Sequence, residues 1–219
     1  MAIQVQTNDS SALTDSDLDE FASMEGAFGI GELSKAKEDW VLITTARLEG
    51  KLHGFTFSTL ERIGGTPCVL LGLMSVRRSA KREQILRGLM GEAYHRALMA
   101  FPDEDVVVGS RFVLPDALDA FKGLDDVTPS PGVRAVGEER AWGRRLAKRF
   151  DVEGTYDEKT FVIKRGGQEG FIDHVSTKGP DSIDPARRAL FDAVPAGDGG
   201  ALIVYGWTMA EDLVKLGGR

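Results

Sequence analysis

Residues 40–76 constrain the fold more than any other part of the sequence. Apolar and β-branched residues dominate three runs there, at about 40–47, 52–60 and 67–76. Such runs predict strands. Gly50 separates the first two runs and Gly64-Gly65 the last two, and glycine supplies the positive φ angles that tight hairpins need. The stretch therefore predicts an antiparallel meander of three strands.

Helical and strand patterns flank this meander on both sides. Before it, residues 2–6 alternate like a short strand and residues 14–25 carry an apolar stripe at helical spacing. After it, residues 80–100 predict a long helix, and the continuously apolar run 105–112 predicts a strand covered on both faces. A short helix is expected over 115–123. The pattern indicates an α/β protein of the α+β type with a mixed sheet.

The rest of the chain is expected to elaborate this core. The predicted elements are a basic amphipathic helix 138–150, a strand pair 159–165 and 169–175, a helix 184–193, a strand 200–207 and a short helix 208–216. We therefore divide the chain into a core over 1–125 and a C-terminal extension over 126–219. The extension should continue the same sheet, because the strand at 200–207 is too apolar for a free edge.

Composition narrows the classes of function. The net charge is −7, and an acidic protein repels phosphate backbones, so nucleic acid is not the expected partner. One cysteine and three histidines at distant positions predict no metal site. The sequence shows neither a basic, apolar leader nor a run of about 18 apolar residues that would cross a membrane. A cytoplasmic location without membrane contact is expected.

The order of these elements resembles the GNAT superfamily of acyl-CoA N-acyltransferases. TARLEGKLHGFTFSTL places Ala46, Gly50 and Gly54 in the spacing A-x-x-x-G-x-x-x-G of that family's second and third strands. LMSV at 73–76 resembles the end of its fourth strand, where a bulge splays the sheet. VVVGSRFVLPDALDAFKGL at 106–124 resembles its buried fifth strand and the helix that follows.

The resemblance implies an N-acyltransferase that moves an acyl group from acetyl-CoA or another acyl-CoA to a small-molecule amine, without a metal. Backbone groups of Met74 and Val76 would pair with the pantetheine arm. Ser110 ends the buried strand near the implied reaction centre and is the candidate catalytic residue. Its alternative role is a hydrogen bond to a local backbone group.

A cluster of cations at the junction of the fourth strand and the long helix predicts phosphate binding. The dipole of a helix also favours an anion at this end. The residues expected to contact the CoA phosphates are Arg78, Lys81, Arg82 and Gln84. The alternative is a solvated basic turn.

Two departures from the family favour a second hypothesis. Gln84 and Leu86 replace the glycines of the pyrophosphate loop, so their side chains are expected where the phosphates approach. Phe121 stands where many members have a proton-donating tyrosine. The alternative is thus a catalytically inactive GNAT-like module for binding or oligomerisation, with a homodimer as the assembly. The basic helix 138–150 is interpreted as a solvated face covering the sheet, and the alternative is an anion-binding or oligomerisation helix.

Three other features are interpreted as structural. Tyr94 is expected in the core on the apolar face of the long helix, and Cys68 is expected to be a small core residue. Asp173-His174 is interpreted as a surface pair.

Overall fold

The structure is a computed structural model that describes residues 3–24, 28–166, 171–172, 183–196 and 199–217, with the backbone alone at 171–172. Its strands are β1 (Gln4–Asp9), β2 (Leu42–Leu48), β3 (Lys51–Ile63), β4 (Thr66–Val76), β5 (Val106–Phe112), β6 (Asp125–Thr128), β7 (Tyr156–Asp157), β8 (Val162–Ile163), β9 (Phe171–Ile172) and β10 (Ala201–Thr208). Its α-helices are α1 (Asp15–Ala22), α2 (Ile30–Asp39), α3 (Arg82–Ala100), α4 (Gly137–Arg149), α5 (Pro185–Ala189) and α6 (Ala210–Leu216). Short 3₁₀ helices lie at Ser10–Ala12, Pro115–Phe121 and Glu153–Thr155.

The ten strands of the described residues form one mixed sheet. Its order is β1-β2-β3-β4-β9-β5-β10-β8-β7, and β6 also pairs with β10. Strands β1 to β4 are antiparallel neighbours, β4 and β5 are parallel, and β10 runs antiparallel to β5. The predicted meander and the mixed α/β class are confirmed.

Helices cover both faces of the sheet. Gly54 faces α3, because a Cβ there would meet Ile85, whereas the adjacent Phe55 stacks on Phe21 of α1 at 4.6 Å between ring centroids. Neighbouring residues of a strand point to opposite faces, so α1 and α3 lie on opposite sides. Arg149 of α4 lies 6.0 Å from the Trp40 ring at the end of α2. One layer thus contains α1, α2 and α4, and the other contains α3.

A bulge interrupts the pairing of β3 with β4. Thr56 pairs with Met74 but Ser58 pairs with Leu71, so β4 carries one extra residue between these pairs. The bulge that the resemblance implied is therefore present. Gly72 lies inside it, and the Trp40 indole packs directly against the Gly72 backbone.

Helix α2 is absent from the sequence-based prediction, which took the glycines of 26–31 only as the end of the first helix. In the structure Gly29 begins a second helix, and its N–H donates to the Glu32 carboxylate at 2.9 Å. Leu33 and Ala36 are buried. The segment predicted as a helix over 115–123 is instead a 3₁₀ helix, Pro115–Phe121.

The predicted strand pair 159–165 and 169–175 is wrong as a pair. β8 pairs with β7 and β10, and β9 pairs with β4 and β5. Local glycines favour a hairpin, whereas in the structure both segments pair with strands from other parts of the sheet. Residues 173–175 lie outside the described residues.

Strand β10 lies beside β5 in the main sheet, with Leu202 opposite Phe112 and Thr208 opposite Val106. Residues far along the chain thus complete the sheet built by the first 125. The division of the chain at residue 125 stays a prediction.

The contact between Gly72 and Trp40 predicts a strong dependence on side-chain size. A Cβ on Gly72 would overlap the indole ring, and overpacking of this kind costs about 1–3 kcal/mol. We expect Gly72→Ala to lower the free energy of unfolding by that amount in urea denaturation. Gly31→Ala is the matched control. A Cβ at position 31 would have no heavy atom within 4 Å, so this substitution should stabilise α2 by up to about 1 kcal/mol. Equal stability of Gly72→Ala and wild type would contradict this packing.

Candidate functional site

The parallel strands β4 and β5 separate towards their C-terminal ends. They pair directly only through Cys68 with Val107, Val69 with Val108 and Leu70 with Gly109. One residue further on, the Ser110 hydroxyl donates to the Leu71 carbonyl at 2.9 Å. A side chain thus replaces the backbone ladder at the point where the two strands part.

Strand β9 lies in the gap between the separated strands. Ile172 pairs with Met74 on β4 and Phe112 on β5, and Phe171 pairs with Arg111. A strand inserted between two others holds them about 9–10 Å apart, twice the usual spacing. The gap therefore has the width and the hydrogen-bonding edges to accept one extended backbone.

The residues expected to hold a pantetheine arm border this gap. Met74 and Val76 lie on β4, and their side chains are buried. The backbone of Met74 pairs with Ile172 of β9, so this residue contacts its neighbour through backbone groups. Ser110 is fully buried. Its hydroxyl proton is already used in the bond to the Leu71 carbonyl. This bond is the hydrogen bond to a local backbone group that the sequence offered as the alternative role of Ser110.

The basic segment lies where β4 leads into α3. The Arg77 N–H donates to the His53 carbonyl at 2.8 Å, which ties the segment to β3. Lys81 is the N-cap residue of α3, and its side chain makes no capping bond. Arg78 and Gln84 are exposed and Lys81 is half-buried. These three residues therefore lie next to or within the first turn of α3, a helix of 19 residues, and solvent reaches their side chains.

Arg82 has a different place from the phosphate contact expected of it. Its side chain is 2% exposed and lies 3.2 Å from the Asp119 carboxylate. It also donates to the backbone carbonyl of Asp116 at 3.1 Å. Asp119 is in turn 3.3 Å from Arg187. Arg82 thus joins α3 to the 3₁₀ helix Pro115–Phe121, and its charge is balanced inside the protein.

Three replacements relative to the GNAT pattern have different consequences in three dimensions. Leu86 is buried, so its side chain does not stand over the N-terminus of α3 as expected, whereas Gln84 is exposed there. Phe121 packs edge-to-face on Phe112, with the ring centroids 5.0 Å apart. It is a core residue that offers no proton.

Tyr94 and Cys68 are core residues, as predicted. Burial raises the pKa of the Cys68 thiol to about 12, and burial also raises the pKa of Tyr94. Neither group ionises near neutral pH, so Cys68 is not a reactive thiol. Asp173-His174 lies outside the described residues.

Sequence reasoning missed three polar side chains near the gap. The Ser75 hydroxyl, next to Met74, is buried and has no hydrogen-bond partner among the described residues. Arg111, on β5 at the gap, is buried with its guanidinium 4.7 Å from the Phe150 ring. Ser75 could have been noticed inside the LMSV segment, but no sequence signal indicates that α4 would cover Arg111.

His53 is the third of these side chains, and it lies beside the basic segment. Burial lowers its pKa, and the nearby charges of Arg77, Lys81 and Lys51 lower it further. The imidazole is therefore neutral near pH 7. The same cations that depress its ionisation would favour an anion bound close by.

Searches for two other kinds of feature give negative findings. Within the described ranges, no group of three or more His, Cys, Asp and Glu side chains is placed to hold a metal ion. None of the described helices is both long and apolar enough to span a membrane.

Comparisons with known proteins give structural similarities only. No family model and no curated protein sequence matches the chain. The aminoglycoside 6'-N-acetyltransferase from Enterococcus faecium is 12% identical with a TM-score of 0.43, covering 94% of this chain and 97% of that one. The ribosomal-protein-S18-alanine N-acetyltransferase from Escherichia coli is 10% identical with a TM-score of 0.43, and the match covers 94% of both chains.

The topology of this chain, and not these similarities, is the basis for assigning its fold. The antiparallel meander, the bulge in β4, the parallel β4–α3–β5 unit and the separation of β4 from β5 are the features expected of a divergent GNAT fold. This topology is the mixed-sheet arrangement that the resemblance to the GNAT superfamily implies.

The buried position of Arg82 predicts a structural role that the other cations lack. Removing one member of a buried ion pair costs about 3–5 kcal/mol, because the partner charge stays buried. We expect Arg82→Ala to lower the free energy of unfolding by that amount. Arg78→Ala, at an exposed position, should change it by less than about 0.5 kcal/mol. Urea denaturation of both variants measures these changes. Equal changes in the free energy of unfolding would show that the ion pair of Arg82 with Asp119 does not stabilise the fold.

Proposed function

We propose that this chain is an acyl-CoA-dependent N-acyltransferase in which the pantetheine arm takes the place of β9 between β4 and β5. The observation that carries the proposal is β9 itself, because an extended backbone lies paired with Met74 on one side and Phe112 on the other. Pantetheine contains two amide groups, so it can pair with a strand edge in the same way. Acyl-CoA binding then requires β9 to leave the gap.

The phosphates of the cosubstrate would be held at the N-terminus of α3. The helix dipole places partial positive charge there, and Arg78 and Lys81 add full charges. Charge-assisted hydrogen bonds to phosphate are stronger than neutral ones, so these side chains can replace the missing glycine-rich loop. Arg82 is assigned to holding α3 in place and not to the phosphates, since its charge is balanced by Asp119.

The reaction would be direct attack of a small-molecule amine on the thioester. The C–N bond forms as the C–S bond breaks, the amine gives up a proton to solvent, and the thiolate takes one. A backbone N–H of β4 would polarise the carbonyl oxygen, and the protein contributes mainly by orienting the two substrates. Phe121 cannot protonate the thiolate. Water and the Ser75 hydroxyl at the gap are the remaining donors, because the Ser110 hydroxyl proton is used in the bond to Leu71.

A second function is favoured by a specific observation. With β9 in place, the gap is filled by the chain itself, Ser110 is bonded to Leu71 and Arg82 is paired with Asp119. This arrangement suits a GNAT-like module that has lost catalysis and serves in binding or oligomerisation, for example as a homodimer. Acyl-CoA binding separates the two functions.

Acyl-CoA binding should depend on Arg78 and Lys81 and on salt. We expect calorimetric titration with acetyl-CoA at low ionic strength to show at least about tenfold weaker binding by Arg78→Ala/Lys81→Ala than by wild type, because each charge-assisted bond contributes about 1.5–3 kcal/mol before screening. The difference should shrink at high salt, where charges about 10 Å apart are screened. Lys159→Ala/Lys164→Ala, which removes two exposed cations elsewhere, should bind like wild type. Equal affinity in all three proteins would remove Arg78 and Lys81 from the site.

Weakening β9 should strengthen acyl-CoA binding. Proline at position 172 has no N–H to give to a neighbouring strand, so Ile172→Pro should raise the fraction of molecules with an open gap and tighten the apparent dissociation constant severalfold. Ile172→Val keeps the N–H and should match wild type. Absence of binding in both wild type and Ile172→Pro at low salt would favour the inactive module.

A further inference from the structure

A large cavity lies at the edge of the sheet where β6 meets β10 and α4 begins. Its volume is about 780 Å³, which is within the range of small-molecule sites. Its walls come from β6, the loop that follows it, the first turns of α4 and the end of β10. The polar and aromatic side chains that line it are Asp126, Thr128, Ser130, Glu138, Glu139, Trp142, Tyr205 and Trp207.

This cavity is separate from the gap between β4 and β5. Tyr205 and Trp207 lie opposite Gly109 and Val107, in the N-terminal part of β5. The gap opens at the other end of that strand, at Phe112. A ligand in the cavity would therefore not occupy the proposed acyl-CoA site.

Three aromatic rings form one wall of the cavity. Trp142 and Trp207 meet edge-to-face with centroids 5.6 Å apart and planes at 89°, and Tyr205 lies 6.3 Å from Trp142. Trp142 and Tyr205 are buried, and the Tyr205 hydroxyl donates to the backbone carbonyl of Glu139 at 3.3 Å. The rings are thus held by the core, while Trp207 is partly exposed to the cavity.

These rings already attract a cation. The guanidinium of Arg145 lies 4.9 Å from the centre of the Trp142 ring. Attraction of this kind arises because the face of an aromatic ring is negative. The Trp207 ring is partly exposed and stands nearly perpendicular to the Trp142 ring, so it is the ring of this wall that a second cation can approach.

The remaining charge in the cavity is all negative. Three carboxylates line it, those of Asp126, Glu138 and Glu139, and no Lys, Arg or His is among the described residues of its lining. Glu139 caps α4 by accepting from the Val136 N–H at 2.7 Å, and Glu138 lies 3.4 Å from Arg145. Asp126 is exposed at the rim. The pKa of Tyr205 is raised to about 12, mainly by burial, and the charges of Glu139, Asp126 and Glu138 act in the same direction, as expected where the potential is negative.

We propose that this cavity binds a small organic cation carrying two or more ammonium groups, independently of the acyl-CoA site. One ammonium group would lie over the Trp207 ring, and the others would pair with Asp126 and Glu138. A neutral ligand of similar size would leave the Asp126 carboxylate uncompensated, and an anion would be repelled. The aromatic wall and the carboxylates therefore select the same chemical class.

Spermidine is a suitable probe, because it carries three ammonium groups on a flexible chain. Two of the three tryptophans of the protein line the cavity, so tryptophan fluorescence reports binding. We expect saturable binding at low salt that is at least about tenfold weaker in Asp126→Asn/Glu138→Gln. Asp126 has a positive φ of 48°, which asparagine also tolerates, so this variant should fold normally.

Two further variants test whether spermidine binding depends on the charges and the aromatic wall of this cavity. Glu153→Gln/Glu211→Gln removes the same charge from exposed positions outside the cavity and should bind spermidine like wild type. Trp207→Leu should weaken binding while leaving the carboxylates in place. Absence of saturable binding by wild type, or equal affinity in wild type and Asp126→Asn/Glu138→Gln, would overturn the proposal. Displacement of spermidine by CoA, which has no acyl group to transfer to the amine, would also overturn it, because the two sites would then not be independent.

Discussion

The parallel pairing of β4 with β5 ends after Leu70 and Gly109, and the proposed chemistry of the protein depends on that ending. The bulge around Gly72 turns β4 away, Trp40 packs over it, and the Ser110 hydroxyl bonds to Leu71 where the ladder stops. Beyond this point two strand edges face each other inside a buried sheet. Buried backbone groups need hydrogen-bond partners, so something extended must lie between them. β9 satisfies this need, and the proposed function requires a pantetheine arm to satisfy it in place of β9.

The charges around α3 follow from the same arrangement. Strand β4 leads directly into the N-terminus of α3, and Arg82 fixes this end of the helix to the 3₁₀ helix after β5 through Asp119. This ion pair uses one cation of the basic segment for structure and leaves Arg78 and Lys81 outside. The N-terminus of α3 is thus anchored by Arg82, while solvent reaches the side chains of Arg78 and Lys81. Such a site would bind phosphates through side chains more than through backbone N–H groups.

The sequence predicted the parts of this fold that depend on local patterns. Glycines at turns and alternating strands marked the meander, and helical spacing marked α3. Contacts between distant segments could not be read in this way. Arg82 and Arg78 look alike in the sequence, but only Arg82 meets carboxylates 34 and 37 residues away. β9 lies almost 100 residues beyond the strand Met74 occupies, and Trp142 and Trp207 come together from a helix and a strand in separate parts of the chain.

Hydrogen–deuterium exchange with and without excess acetyl-CoA tests most directly whether the cosubstrate takes the place of β9. Amide protection reports which backbone groups are paired. If pantetheine displaces β9, peptides containing Phe171 and Ile172 will exchange faster when acetyl-CoA is present, while those containing Met74 and Val76 will stay protected. If the Phe171 and Ile172 peptides exchange at the same rate in both samples, the gap between β4 and β5 is not an acyl-CoA site.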